Sequence, residues 1–314
     1  MFDFVGKRKY FFGFSTLILI ACIVGLIVNQ GLNLDIQFRG GTILEFQMEN
    51  SSFDLNLAKQ LVEQEIGKIV SPQSSYSLDT NNERVDLLVL SIASKLTQEE
   101  HDKVVSVIEE NFKVKEGTKP TPRAVDAAMG KEMAVKSIIA VAIAALLMVI
   151  YVWIRFKIMG GLLAGVSAVI ALLHDVMVMI TLYAVFRLPV NESFIAAVLT
   201  IVGYSINDTI VIFDRIRENS TLNKKDSLED ITNKSINQSL SRTINTALTT
   251  VLAVTTVYIF ASYYNIESIK LFMLPMLVGL ISGTYSTIFI ASPVWVILKN
   301  YQAKRQAASK LKNA

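Results

Sequence analysis

Four residues of ionisable type lie where the sequence is otherwise apolar, and they could move a proton or hold a buried ion pair. Asp175 follows His174 inside one apolar run, and Asp208 lies inside the next. Arg242 stands at the start of a third run. An ionisable side chain at mid-bilayer costs about 2.5–3.5 kcal/mol on insertion scales and is kept for pathways, relays and pairing. These residues are therefore the candidates for function.

Asp208 and Arg242 each belong to a polar face at helical spacing. Asp208 shares its face with Tyr204, Val211 and Ile212, and Ser205 and Asn207 keep its neighbourhood polar. A polar stripe on a membrane helix faces protein or water. Burial raises the pKa of a carboxyl group, and a nearby guanidinium lowers it. The residue types therefore leave open both a fixed Asp–Arg ion pair and a proton relay. The stripe that Arg242 begins contains Asn245, Thr246, Thr249, Ala253 and Thr256.

Asp175 admits two further interpretations. His174 or a neighbouring backbone group could satisfy its carboxyl, which makes it a secondary relay or pairing candidate. Asp175 and Asp208 could also share a proton, as in an intramembrane aspartyl protease. That chemistry needs the two carboxyl groups within a few ångströms of each other. It is also disfavoured because Asp208 follows Ser-Ile-Asn and not Gly-x-Gly.

The elements that carry these residues are predicted to be membrane-spanning helices. The chain has 314 residues, of which 52% are hydrophobic and 18% charged, against roughly a quarter charged in soluble domains. Uncharged apolar runs of about 18 or more residues indicate membrane spans. Several such runs exclude a soluble globular enzyme, a disordered chain and a fibrous repeat. Strands of a membrane β-barrel would be shorter and would alternate in polarity. The predicted spans are 11–29, 135–154, 158–184, 193–213, 243–262 and 272–298.

The distribution of basic residues predicts the orientation of the spans. The N-terminal flank, the connections after the second and fourth spans and the C-terminal tail together carry 16 Lys and Arg. The two short loops on the other side carry only Arg187 and Lys270. By the positive-inside rule both termini are predicted to be cytoplasmic.

The long segment between the first two spans is predicted to be a periplasmic domain. It is acidic, since residues 30–133 hold 11 basic and 17 acidic side chains. Residues 42–48 and 84–90 are typical of strands, and 54–66 and 97–112 of helices. The order indicates a split-βαβ α+β sandwich. The predicted organisation is 1–30 for the N-terminus and first span, 31–133 for the domain, 134–298 for the other spans and 299–314 for a basic tail.

Two smaller features complete the insert. Gly40 and Gly41 precede the first strand, where glycine permits a bulge or a close backbone approach. Pro120 and Pro122 precede a predicted helix over 123–136, which is either a stiff arm or a linker to the second span.

Two glycine pairs at GxxxG spacing, 161/165 and 279/283, lie in the predicted spans. They allow close helix packing within the bundle or against a partner.

No sequence pattern predicts a cofactor, a metal ion or nucleic acid. The chain has two histidines, and His101 lies among acidic residues on a predicted exposed helix face. The one cysteine, Cys22, lies inside the first apolar run, so no disulfide framework is expected. No P-loop, dinucleotide fingerprint or zinc-protease motif is present. The basic excess follows the ends of the spans and is therefore not a nucleic-acid signal.

Five segments together resemble the SecD/SecF family of protein-export membrane proteins, and the resemblance covers nearly the whole chain. The most specific of them is 203–219. The resemblance implies an α-helical membrane protein with a six-span RND-type bundle and a ferredoxin-like periplasmic domain between the first and second spans. The segments are LNLDIQFRGGTILEF (32–46), YVWIRFK (151–157), LLHDV (172–176), GYSINDTIVIFDRIREN (203–219) and SRTINTALTTVLAV (241–254).

The same resemblance implies partners and a function. The chain is expected to pair with SecD in the bacterial cytoplasmic membrane and to associate with the SecYEG channel, YajC, membrane lipid and the preprotein substrate. The pair would use the proton-motive force to promote late-stage export, with Asp208 and Arg242 as the proton relay. The family usually has Asp where this chain has Gln37, so Gln37 is expected to keep only a hydrogen-bonding role within the structural motif that it forms with Gly40 and Gly41.

One alternative function and one question about the driving ion stay open at this point. An RND-type transporter for small solutes would have a similar membrane half. The single modest external domain argues against it, because no second large domain builds a solute cleft. One carboxylate and several hydroxyls could serve protons or sodium ions equally well.

Overall fold

Long helices make up most of the chain, with a small sheet inserted after the first of them. A computed structural model describes residues 2–50, 53–78, 84–115, 117–118, 120–125, 127–264 and 266–312. In chain order the elements are α1 (Arg8–Val28), α2 (Ile36–Arg39), β1 (Gly41–Met48), α3 (Leu55–Ile66), β2 (Val70–Leu78), β3 (Arg84–Ile92), α4 (Gln98–Asn111), β4 (Thr121–Val125), α5 (Ala127–Arg155), α6 (Gly161–Phe186), α7 (Glu192–Leu222), α8 (Leu228–Tyr263), α9 (Glu267–Ser286) and α10 (Ser292–Lys312).

Six helices of the described chain are long and apolar enough to cross a membrane, which confirms the predicted six-span bundle. They are α1, α5, α6, α7, α8 and the continuous rod formed by α9 and α10, which a π-helical turn over Thr287–Ala291 joins. Several helices continue beyond the predicted spans. α8 begins at Leu228, where the Ser227 side chain caps it by accepting a hydrogen bond from the Asp230 N–H.

The inserted α/β domain (residues 41–125) has the predicted α+β fold. Its antiparallel sheet has the strand order β2-β3-β1-β4. This is the split-βαβ arrangement, in which β1 and β3 occupy the centre. Alternate residues of the central strands turn toward α3 and α4 and form one buried core, which contains Leu44, Phe46, Leu88, Leu90, Ala58, Val62, Val104 and Ile108.

Local signals explain the two helices of the α/β domain. Asp54 accepts hydrogen bonds from the backbone at the start of α3, and Gly67 ends that helix in the left-handed conformation with φ 64°. Thr97 and Glu100 form a reciprocal capping box at the start of α4. Lys68 also contacts Glu100 at 2.6 Å, and its ammonium group, followed by the Thr97 backbone N–H, lowers the pKa of that carboxyl.

The predicted helix over 123–136 is wrong in its first residues. Residues 121–125 form β4, which pairs with β1 and places Pro122 opposite Leu44. Proline cannot donate a ladder hydrogen bond, and β4 is an edge strand where this loss is tolerated. α5 then begins at Ala127, while Asp126 lies outside the described residues.

Both glycine pairs pack inside the bundle. A Cβ atom on Gly279 would lie 2.5 Å from Ile201 Cγ1, and one on Gly283 would lie 3.1 Å from Ser205 Cβ, so α9 lies close against α7. Gly165 brings α6 against α5, since its Cβ would lie 3.1 Å from the Val149 carbonyl oxygen. Close packing of α7 against α9 positions the polar residues of both helices side by side.

Candidate functional site

Asp208 lies near the middle of α7 and is only 4% exposed. Its Oδ2 atom is buried and accepts no hydrogen bond from any described residue. Arg242 acts on the carboxyl electrostatically, yet among the described residues no cation approaches Asp208 within 4 Å. A buried polar group without a partner costs free energy, so Asp208 is incompletely satisfied in this conformation.

Arg242 is exposed and lines an open cleft between α7 and α8. The cleft has a volume of about 910 Å³. Asn207, the residue directly before Asp208, also lines it, so the cleft reaches the neighbourhood of the carboxyl. Most of the residues that line it are charged or polar, as a hydrated space requires; they include Asp214, Arg215, Arg217, Glu218, Gln238 and Ser239.

The mouth of the cleft is held by ion pairs and amide hydrogen bonds. Asp214 pairs with Arg155 of α5 at 2.8 Å and with Arg217 at 3.0 Å. Asn219 of α7 donates to Ser235 Oγ and Gln238 Oε1 of α8, both at 2.8 Å. The Asn219 bonds join the end of α7 to the start of α8, and the Arg155 pair joins α7 to α5, on the side of the bundle that carries the chain termini.

Beyond Arg242, which lines the cleft against α7, most of the polar stripe of α8 faces away from the other helices of this chain. Arg242, Asn245, Thr249 and Thr256 are all exposed. The hydroxyl groups of Thr249 and Thr256 donate to the carbonyls of Asn245 and Leu252 in α8 itself. In the most apolar 18-residue stretch of each helix, 11% of α8 is buried inside the bundle, against 50% of α7. Polar groups on a membrane helix avoid lipid, so this face requires another protein surface or water.

Asp175 on α6 is fully buried and well satisfied. Its Oδ2 accepts hydrogen bonds from Ser205 and Ser286, both at 2.8 Å, and its Oδ1 accepts one from Ser282 at 2.6 Å. His174 Nδ1 lies 3.4 Å from Oδ1. The sequence predicted that His174 or a backbone group would satisfy Asp175, whereas three serine hydroxyls provide most of its contacts.

These contacts separate the environments of the two intramembrane carboxyls. Both oxygens of Asp175 are engaged by hydroxyls of α7 and α9, and Asp208 is not among its partners. An aspartyl protease dyad requires two carboxyls that share a proton. Asp175 and Asp208 do not form such a dyad in this structure.

Sequence reasoning missed Ser282 and Ser286 as partners of Asp175. Their spacing of four residues places both on one face of α9. A pair of small polar residues at this spacing in an apolar helix was the available signal. It is a weak one, because serine hydroxyls in membrane helices commonly bond the carbonyl four residues earlier, as Ser167 does with Leu163.

The remaining predicted motif lies at the base of the α/β domain. Gln37 Oε1 accepts a hydrogen bond of 3.2 Å from the backbone N–H of Glu192, the first residue of α7. Gly40 has φ 78°, and Gly41 has φ 150°. A side chain at Gly41 would collide with the Ile92 carbonyl oxygen, so these glycines allow the chain to turn from α2 into the centre of the sheet.

Within the part of the chain that the structure describes, no group of three or more His, Cys, Asp and Glu residues is arranged to hold a metal ion. His101 Nδ1 lies 3.1 Å from its neighbour Asp102 at the surface of α4.

Known proteins are similar to this chain in both sequence and fold. Residues 105–301 match the family described as protein export membrane protein SecD/SecF, C-terminal. The chain is 33% identical to the protein translocase subunit SecF of Alicyclobacillus acidocaldarius over 97% of this chain and 95% of that protein. It is 36% identical to protein translocase subunit SecDF of Bacillus subtilis over 98% of this chain, but spans only 39% of that protein.

A solved structure agrees with this assignment. The crystal structure of SecDF, a translocon-associated membrane protein from Thermus thermophilus, superimposes with a TM-score of 0.76 at 28% identity. The alignment covers 95% of this chain and 39% of that one. With six spans, a split-βαβ insert and relatives that match almost end to end, this multi-pass membrane protein belongs to the SecD/SecF family of protein export membrane proteins.

Proposed function

We propose that the chain is the SecF-type half of a SecD–SecF pair that uses the proton-motive force to promote the late stage of preprotein export. The observation that carries this proposal is the state of Asp208. Its buried oxygen has no hydrogen-bond partner among the described residues, and the cleft that Arg242 lines reaches the residue before it. A carboxyl placed in this way can take and release a proton as the helices around it move.

The energy available is of a useful size. One elementary charge crossing 100 mV supplies about 2.3 kcal/mol. A change of this size shifts a two-state equilibrium by more than tenfold. Protonation of Asp208 would remove its electrostatic attraction to Arg242, so the preferred packing of α7 against α8 would change with each proton.

Asp175 supports the proposal because its carboxyl, unlike that of Asp208, is fully paired. Its carboxyl is enclosed by three hydroxyls and is fully buried. It therefore acts in this proposal as a pairing group that joins α6, α7 and α9, with His174 beside it. The helices behind Asp208 then form a firm support, and movement is confined to the side where α7 meets α8.

The exposed polar stripe of α8 supports pairing with SecD. A similar six-span subunit would cover Arg242, Asn245 and Thr249 and exclude lipid from them. The Bacillus subtilis and Thermus relatives are SecDF chains of which this chain spans 39%, and the rest of such a chain is long enough for a second subunit. SecYEG, YajC and the preprotein complete the proposed assembly.

The orientation belongs to the same proposal. The 16 basic residues on one side of the spans and the two on the other favour both termini in the cytoplasm of a bacterial cell. The domain of residues 31–133 then lies in the periplasm, where it meets the emerging preprotein. The spans lie in the cytoplasmic membrane, and the chain converts the ion gradient into movement with no chemical reaction of its own.

The test is gradient-dependent export by membrane vesicles that carry the SecD–SecF pair with Asp208→Asn. Asparagine keeps the size of the side chain but cannot ionise, so the part of export that depends on the gradient should be lost while the pair still assembles. Asp226→Asn, which changes an exposed carboxylate between α7 and α8, is the matched control. Normal export by Asp208→Asn vesicles would refute the relay. Collapsing the proton and sodium gradients separately identifies the ion.

A further inference from the structure

We propose that residues 33–38 form a strap that carries movement of α7 to the α/β domain, with Gln37 as its positioning residue. The inference rests on the proposed function, because it concerns how the helix that bears Asp208 reaches the domain. The covalent chain joins the domain only to α1 and α5. The strap adds a connection to α6 and α7, which the order of elements alone does not provide.

The first part of the strap is a short parallel pairing with the loop between α6 and α7. Asp35 N–H donates to the Val190 carbonyl at 2.9 Å, and Val190 N–H donates to the Asn33 carbonyl at 2.8 Å. Between them Leu34 and Val190 form a parallel bridge. The Asn33 side-chain amide donates to the Arg187 carbonyl at 3.2 Å. Three hydrogen bonds therefore hold this loop to the base of the domain.

The second part is the contact of Gln37 with the start of α7. The first N–H groups of a helix have no partner within the helix. The Asn191 side chain accepts from the Phe194 N–H, and Gln37 Oε1 accepts from the Glu192 N–H. A side chain from the domain base thus contributes to the cap of the helix that carries Asp208.

The third part is a wedge of apolar packing. Phe38 is 6% exposed and packs with Val190 and Phe194. On its other side, Gly130 of α5 lets α2 approach closely, since a Cβ atom there would lie 2.9 Å from the Phe38 carbonyl oxygen. The strap is held between α5 and the α6–α7 loop and is not free to slide independently of either.

The strap connects two rigid bodies. α7 is one uninterrupted helix from Glu192 to Leu222 without a proline, so a shift near Asp208 moves its first turn, about 24 Å away at 1.5 Å per residue. At the other end, α2 passes through Gly40 directly into β1, a central strand of the sheet. A displacement of the α7 start would therefore be delivered to the middle of the domain.

The structural test measures the distance between the domain and the bundle in the assembled SecD–SecF pair. Spin labels at Lys59 of α3 and Tyr263 of α8, both exposed, are introduced with Cys22→Ala. The double variant Asn33→Ala, Gln37→Leu removes two side-chain contacts of the strap. The ratio of docked to undocked domain should fall about tenfold, with a broader distance distribution. Gln47→Leu, in β1 and outside the strap, should leave the distance distribution unchanged. Gln37→Glu with Asn33 intact should also leave it unchanged, because the new carboxylate still accepts a hydrogen bond from the Glu192 N–H.

The functional test uses the same variants in gradient-driven export. The double variant should lose gradient stimulation, and Gln37→Glu should retain it. An unchanged distance distribution, or a broadened one with full gradient stimulation, would overturn the strap. The distance measurement does not depend on the relay. If Asp208→Asn exports normally, the proposed function fails, while the distance result still decides whether the strap holds the domain to α7.

Discussion

Ser205 donates a hydrogen bond to Asp175 from the same stretch of α7 that carries Asp208 three residues later. Position 205 packs toward α6 and α9, whereas an oxygen of Asp208 has no hydrogen-bond partner among the described residues. One helix therefore has a fully paired polar group and an incompletely paired one within a single turn. In the proposed relay, the paired group would resist movement, and Asp208 would change its charge and its contacts.

The serine cage of Asp175 should contribute measurably to stability. We expect Ser286→Ala to lower the free energy of unfolding by about 1.5–3 kcal/mol, because it removes a buried hydrogen bond to a carboxylate. Ser167→Ala is the matched control, since Ser167 is equally buried and its hydroxyl donates to the Leu163 carbonyl of its own helix. Thermal unfolding of both variants in detergent measures the difference. Equal stability of Ser286→Ala and the native protein would contradict the proposed pairing role.

The close approach of α9 to α7 depends on glycine. Gly279→Ala places a methyl group 2.5 Å from Ile201 Cγ1, so the helices must separate, and we expect a cost of about 1–3 kcal/mol for overpacking. Gly203→Ala has nothing within 4 Å of its new Cβ and replaces a poor helix former with a good one, so it should stabilise α7. Unfolding midpoints that move in opposite directions for these two variants would support the packing. A stabilised Gly279→Ala would argue against it.

How far the sequence could predict this molecule depends on the length scale of each signal. A bilayer requires long uncharged runs, so the six spans could be found from composition. The ends of the helices were harder to predict, because charged residues outside the membrane do not end a helix. α8 accordingly begins at Leu228, 15 residues before its predicted start at 243. β4 was missed because Pro122, one of the two prolines that suggested a helix start, lies in an edge strand.

The candidate site shows the same division. Charge in an apolar run marked Asp175, Asp208 and Arg242 individually. The partners of Asp175 could not be derived, because Ser282 and Ser286 come from a helix more than a hundred residues away and serine is common in spans. The missing direct ion pair between Asp208 and Arg242 also depends on the tilt and spacing of α7 and α8, which residue spacing within one helix does not specify.

Asp35 should make stability depend on pH. Its carboxyl caps α2, and burial raises its pKa above the usual 3.8, although the bond from the Ile36 N–H opposes this shift. The folded protein therefore binds this proton more tightly than the unfolded chain, so the contribution of Asp35 is fully present below 3.8 and is lost as pH rises through the raised value.

Asp35→Asn tests this sign. Asparagine caps a helix as well as aspartate does and carries no charge to bury. The variant should melt at a higher temperature than the native protein at pH 7, and the gap should close near pH 4. Asp54→Asn, at the exposed cap of α3, controls for the substitution itself. A gap of equal size at both pH values would show that the charge of Asp35 is not responsible.

Two side-chain amides of α8, those of Asn233 and Asn237, anchor the N-terminal segment, and Asn237 exchanges hydrogen bonds with the backbone of Phe2. Asn233 Oδ1 accepts hydrogen bonds from the N–H groups of Phe4 and Val5, at 2.9 and 3.0 Å, and its Nδ2 donates to Asp3 at 2.8 Å. Phe4 and Val5 are buried, so two backbone donors would lose their partner in Asn233→Leu. We expect a cost of about 1–3 kcal/mol and faster hydrogen exchange over residues 2–12. Asn111→Leu, which removes an amide bonded only within α4, should leave that exchange unchanged. A loosened N-terminus would also free the segment of α8 that precedes the cleft. Unchanged exchange in Asn233→Leu would show instead that the Asn237 contacts and the apolar burial of Phe4 and Val5 are enough to hold the N-terminal segment.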